Sequence, residues 1–325
     1  MSAFRLASAE GVDPAAAVGV GGALRGTVGR EVPAALYVAS LRGDARVFGR
    51  WQVPALTLRS EAAAVRRWTG GPATVAGDGV LYLALALARA DVFLETPRDR
   101  ILNRTVRGLL GGLRAVGFAA HYFGREFVSV DKRPAGLLGW ARAADGRVLF
   151  EAFLGAERTY PPPADEVATP ARREPPRLGK APLRLADVGT PPSAAELCAA
   201  CARAWDREGA LEPVHADPPA PGPPPPEPPA QVHWSEPREV PIGWIWAGLA
   251  RGPAGVTHAR IAGDLYQDDD GPDRLSAALM GAPPSPERLR DGLNAALGTH
   301  GATVEGLRSL QPALEAFLEV GRAPS

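Results

Sequence analysis

Residues 64–79 read AVRRWTGGPATVAGDG. Two adjacent guanidinium groups (Arg66 and Arg67), a hydroxyl (Thr69) and paired glycines (Gly70 and Gly71) suit a loop that brings N–H groups and cationic forks close to an anion. By spacing alone, Thr-Gly-Gly is also an ordinary turn. What lies on either side has to decide between them.

Upstream, residues 47–54 read VFGRWQVP; downstream come Gly124-Arg125, Gly139-Trp140-Ala141 and a lysine-containing stretch, 178–185 (LGKAPLRL). In this order they resemble the lipoate–protein ligase family, whose pocket loop is Arg-Arg-x-Ser/Thr-Gly-Gly, followed by Gly/Arg-Ala-Val. That family also has Ile-Gly-Arg-x-Gln-Asn-Pro, Gly-Arg-Asn-Asp and Gly-Ser-Ala segments. Residues 241–244 (PIGW), 262–266 (AGDLY) and 279–283 (LMGAP) fit its accessory domain. Nearly the whole chain is covered.

The resemblance implies an α+β (mixed α/β) fold, a biotin/lipoate ligase-like catalytic domain plus a small α+β accessory domain. It implies activation of lipoate or octanoate by ATP with Mg, and transfer of the acyl group to a lysine on a lipoyl-acceptor protein. Arg66, Arg67, Thr69, Gly70, Gly71, Asp78, Gly124, Arg125, Gly139 and Lys180 are the expected substrate and cofactor contacts. Lys132 is the expected catalytic lysine. It is one of only two lysines among 36 basic residues, the other being Lys180.

Four departures fall around the same site. The family's lysine lies three residues before the glycine of Gly-Ser-Ala, and that position is Gly136, so Lys132 would have to fold back. Asn-Asp after Gly-Arg is Glu126-Phe127, the pocket His-Asp is Ala76-Gly77 with Asp78 next along, and the middle residue of Gly-Ser-Ala is Trp140. Two functions stay open: a ligase with a re-tuned site, or a non-catalytic relative that binds an acyl group, a nucleotide or a protein.

Composition sets the outer bounds. At 325 residues, with 46% hydrophobic and 22% charged residues, the chain can form one large and one small domain. Thirty-six acids balance 36 bases, so no net charge argues for nucleic acid or an anionic membrane. The longest apolar run, Val80 to Ala88, is too short to span a bilayer, and no leucine-rich leader is seen; a cytoplasmic protein is expected.

Residues 218–229 (PPAPGPPPPEPP) form a polyproline spacer, which divides the chain into 1–212, a linker at 213–235, and 236–325. Strands are expected at 34–40, 45–49, 126–131, 139–143, 147–153, 241–249 and 256–262, with an Asp145-Gly146 hairpin turn. Helices are expected at 80–90, 101–116, 193–205, 274–279, 285–297 and 303–320. Cys198 and Cys201 have no further metal-ligand partners and read as small buried helix residues. His258 and His300 lack a triad partner. The acidic stretch 264–271 fails the calcium-loop pattern and reads as a solvated turn.

Overall fold

A computed structural model of the chain describes residues 2–173, 175–226, 232–253, 255–281, 285–298, 304–305 and 309–322. The elements run β1 (Ala3–Val12), α1 (Pro14–Thr27), β2 (Ala34–Leu41), β3 (Asp44–Phe48), α2 (Pro54–Thr57), β4 (Ala63–Arg66), β5 (Thr74–Gly77) and β6 (Val80–Leu87). Next come α3 (Ile101–Ala115), β7 (Ala120–Tyr122), β8 (Phe127–Val130), β9 (Arg133–Arg142), β10 (Val148–Gly155), α4 (Ala194–Trp205) and β11 (Glu212–His215). The accessory module holds β12 (His233–Trp234), β13 (Arg238–Val240), β14 (Gly243–Gly252), β15 (Gly255–Gly263), β16 (Tyr266–Gln267), α5 (Gly271–Leu279), α6 (Pro286–Leu297), β17 (Val304–Glu305) and α7 (Gln311–Arg322).

The large domain is built on an eight-stranded mixed sheet in the order β11-β1-β2-β6-β10-β9-β8-β7, with a three-stranded sheet β4-β3-β5 beside it. This is the α+β architecture expected from the sequence. Its central strand, β6, corrects the helix expected over 80–90. Both faces of β6 are buried, so polarity carries no period of two. Side-chain size does: Leu81, Leu83, Leu85 and Leu87 join the core under α3 and α4, whereas Val80, Tyr82, Ala84 and Ala86 join the core under α1.

The stretch 64–79 is likewise more ordered than expected, contributing β4 and β5 around a short loop. β1 and α1 had no counterpart in the sequence reading. Asp13 caps α1 by accepting the amides of Ala15 and Ala16. Glycines weaken the helix intrinsically. At Gly22, however, any Cβ would collide with the Trp68 ring, so the missing side chain is what lets α1 close over the loop.

β9 is longer than the strand expected at 139–143, because Pro134 and Gly136 lie inside it rather than in a loop. Helix α4 starts as expected, at Ser193 with a capping box to Glu196. Glu212–His215, of which residues 213–215 were assigned to the linker by composition, pairs in parallel with β1 as the sheet's edge strand. The helix expected at 303–320 is instead β17 and α7, and residues 303 and 306–308 lie outside the described residues. In the accessory module β14 and β15 form the expected antiparallel pair, with α5, α6 and α7 closing its core. Among the described residues, no helix is long and apolar enough to cross a membrane.

Candidate functional site

The loop joining β4 to β5 lies on the face of the large sheet that carries Tyr82, Leu137, Gly139, Glu151 and Phe153. Gly139 of β9 is the contact point: a Cβ there would run into the Thr69 hydroxyl. The structure therefore brings Arg66, Arg67, Thr69, Gly70, Gly71 and Gly139 together.

Most of their donors, however, are already used, although Arg67 Nη1 is buried without a partner. Arg66 donates to the carbonyls of Arg50 and Gln52. Arg67 is fully buried; its Nε donates to Thr69 Oγ1 (3.1 Å), and its Nη2 donates to the Gly70 and Pro72 carbonyls (2.7 and 2.8 Å). The Gly70 amide donates to Trp140 O (3.2 Å) and the Gly71 amide to Leu265 O (3.0 Å). Gly71 has φ +97°, and a Cβ there would stand 2.6 Å from the Tyr266 hydroxyl. The two arginines are thus internal braces of the loop.

Beneath the loop sits Glu151, fully buried. It accepts the Tyr82 hydroxyl (2.5 Å) and the Thr69 amide (3.1 Å). Burial lowers the pKa of Arg67, and the charge of Glu151 is the largest influence opposing that shift. A buried guanidinium and a buried carboxylate therefore support each other where an anionic ligand would need an unopposed cation. Glu151 escapes the motif reading, but a lone acid within the apolar strand 148–154 (VLFEAFL) needs a partner, and that signal was in the sequence.

The other expected residues lie elsewhere. Lys132 is exposed, on the two-residue turn between β8 and β9, where Asp131 and Lys132 have φ 48° and 61°. Seven residue steps along the strand separate it from Gly139, about 23 Å at 3.3 Å per residue, so it does not fold back to the loop. Gly136, at the family's lysine position, has no room for a side chain: a Cβ would lie 2.6 Å from Leu154 Cδ2 and 2.7 Å from the Phe153 carbonyl.

Trp140 is buried and stacks on Tyr266, with ring centroids 6.4 Å apart. Asp78 is exposed in the β5–β6 turn, where its carboxylate accepts the Gly43 amide. Gly124 is exposed, and Arg125 spans to Glu126 (2.9 Å) and the Pro241 carbonyl (2.7 Å). Lys180 is exposed, its ammonium 5.1 Å from the centre of the Phe123 ring. Cys198 and Cys201 are buried in α4, and burial pushes the Cys198 thiol up to about 11. His258 accepts from Arg260 Nε (2.8 Å) on β15. His300 lies outside the described residues.

Next to the loop, between the large domain and the start of the accessory module, opens a cleft of about 640 Å³. Leu58, Pro72, Ala73, Leu137 and Tyr160 form apolar wall; Gln52, Glu126, Arg172, Arg177 and Asp264 supply polar groups. Asp264 accepts Gln52 Nε2 (2.6 Å) and the Trp244 amide (2.9 Å), and burial pushes its carboxyl up to about 6. Arg172 is held by Glu239 and the carbonyls of Val240 and Pro241. The Nε of Arg177 is buried without a partner. Such a cleft suits an extended apolar chain with a small polar end. Among the described residues, no group of three or more His, Cys, Asp or Glu side chains is placed to hold a metal ion.

No family model matches the sequence, and no curated protein does. Solved structures do. The Plasmodium falciparum LipL1 in complex with lipoate is 10% identical, with a TM-score of 0.65 over 89% of this chain and 94% of that one. A lipoate–protein ligase A bound with ATP is 13% identical (TM-score 0.52, 67% and 89%). The bipartite ligase of Thermoplasma acidophilum, described with its E2 lipoyl domain, is 14% identical (TM-score 0.52, 66% and 86%). Coverage of 89% takes in the accessory module as well as the large domain. The chain has the fold of the lipoate–protein ligases.

Proposed function

We propose that this protein binds a medium-chain acyl group, of the octanoate or lipoate class, in the cleft beside the RRWTGG loop, and that it does so without adenylating it. The observation that carries this reading is Gly136. The family's lysine is absent there, and the β9–β10 backbone leaves no space for one. A triphosphate brought to the loop would also meet donors mostly committed to carbonyls, with Arg67 Nη1 unpartnered but buried and the Glu151 carboxylate beneath them. The residues at the loop do not fit ATP. The natural partner is a protein that gives or takes the acyl group, a lipoyl-acceptor domain foremost.

A second reading, an ATP-dependent ligase with a re-tuned site, is favoured by Arg177. Its guanidinium lines the cleft with Nε unpartnered, and a guanidinium fork can hold carboxyl oxygens in place of a lysine. Calorimetric titration with octanoate and lipoate, together with ATP–pyrophosphate exchange, separates the two. The expected result is acid binding without exchange, lost when Leu137→Trp fills the cleft. Exchange abolished by Arg177→Ala would establish the ligase reading instead. Absence of binding to either acid would remove both.

A further inference from the structure

From Gly263 to Asp269 the accessory module lies across the large domain as a strap. The Gly263 amide donates to Trp51 O (2.9 Å), Gln52 donates to Asp264, Gly71 donates to Leu265, and the Asp269 amide donates to Arg142 O (2.9 Å). The Tyr266 hydroxyl donates to Leu138 O (2.8 Å). The segment expected to be a solvated acidic turn is therefore largely buried, with Asp268 only 5% exposed.

The strap ends on four arginines. Asp268 accepts from Arg98 (3.1 Å) and Arg142 (3.0 Å); Asp269 accepts from Arg25 (2.7 Å) and Arg50. They come from separate parts of the large domain: the last turn of α1, the loop after β3, the turn before α3, and the end of β9. Trp68 helps hold two of them, with Arg25 and Arg50 at 4.6 and 5.2 Å from its ring centre.

The charges do not balance. Four guanidinium groups face two carboxylates. Of the other acids nearby, Asp270 pairs with Arg274 and Asp145 with Arg147, while Asp273 lines the cavity beside Arg50 and Arg260. A ligand with more than two negative charges would neutralise the cradle better than the strap does. Guanidinium forks take phosphate oxygens in the same geometry as carboxylate oxygens. Two acids on consecutive residues also present two linked anionic groups, as a chain of phosphates does. Beside Asp269 a cavity of about 100 Å³, walled by Arg50 and Arg260 and facing Asp273, already reaches one of the four, Arg50.

We propose that Arg25, Arg50, Arg98 and Arg142 form a binding site for a linked polyphosphate, and that Asp268 and Asp269 are its built-in occupant, displaced when the polyphosphate binds. The site shares no arginine with the RRWTGG loop or the acyl cleft, although the same strap holds Gly71 of the loop and Gln52 of the cleft.

The test is titration of the full chain with inorganic triphosphate at low salt, for the native protein and for Asp268→Asn/Asp269→Asn. The expected result is weak binding by the native chain and about tenfold tighter binding by the variant, falling steeply with added salt. Adding Arg98→Gln and Arg142→Gln to that variant should abolish binding. A folded variant with native-like affinity, or binding that survives loss of the arginines, would overturn the proposal. If the neutralised variant does not fold, hydrogen exchange on the native chain decides: triphosphate should speed exchange at the Gly71 and Asp269 amides, and unchanged rates would overturn it. Octanoate binding is read on the native chain without triphosphate, and neither outcome here decides it.

Discussion

Replacing Gly136 with alanine adds a single carbon where β8, β9 and β10 run side by side. Gly136 pairs with Leu154 on one side and Val128 on the other, and the new Cβ would meet Leu154 Cδ2 at 2.6 Å, the Phe153 carbonyl at 2.7 Å and Leu154 Cα at 3.1 Å. The leucine methyl can turn away. The carbonyl and Cα belong to the central sheet and can move only by spreading it. Overpacking of this kind costs about 1–3 kcal/mol. Alanine recovers about 0.5–1 kcal/mol relative to glycine, because it restricts the unfolded chain. The net expectation is a loss of about 1–2 kcal/mol, read as a lower urea midpoint for the large domain at unchanged slope. Gly136→Lys should lose more, since its charged stem has no exit from a buried strand, and it should gain no pyrophosphate exchange. An alanine variant as stable as the native chain, or a folded lysine variant that acquires exchange, would show that the sheet has room here and that the absent lysine is only a substitution.

Two further outcomes are expected. Glu151→Gln should destabilise the chain by about 3–5 kcal/mol, because it leaves the buried Arg67 charge uncompensated; urea unfolding checks it, and a loss below about 1 kcal/mol would mean that Arg67 is neutralised otherwise. Asp264 bears on pH. Its folded pKa is raised from 3.8 to about 6, so the folded state holds the proton more tightly, and its contribution to stability is present below about pH 4 and lost as pH rises towards 6. Two units at 1.36 kcal/mol each make that loss about 3 kcal/mol. Glu166, lowered by its hydrogen bond to Arg46, acts in the opposite direction. The comparison is therefore native minus Asp264→Asn between pH 4 and 6, and a flat difference would contradict the assignment.

Much of the fold was legible because local chemistry and motif order agreed. The Ser193 capping box, the Asp145-Gly146 turn and the RRWTGG-to-PIGW succession each pointed to elements that exist. β6 was misread because a strand buried on both faces loses the polar alternation that identifies strands, leaving only the alternation of leucine with smaller residues. At the site, the sequence could name the arginines but not their acceptors. Whether Arg67 reaches out to a ligand or back to Gly70 depends on how the loop turns. The acids at 264–269 read as solvated because their side-chain partners, from Arg25 and Gln52 to Arg142, lie more than a hundred residues upstream. Sequence distance conceals an ion pair as readily as a core contact.

The edge of the large sheet has a consequence for how the chain is made. β1 gains its outer neighbour only when residues 212–215 arrive. During synthesis, the first strand must therefore wait on the nascent chain, its outer row of N–H and C=O groups bare, until residues 212–215 have been translated. An unpaired strand edge is an invitation to join another chain. Arg5 lies along it, a charge that guards it during the wait. A ribosome that stalls between α4 and β11 would release a nearly complete domain with an open edge, prone to aggregate.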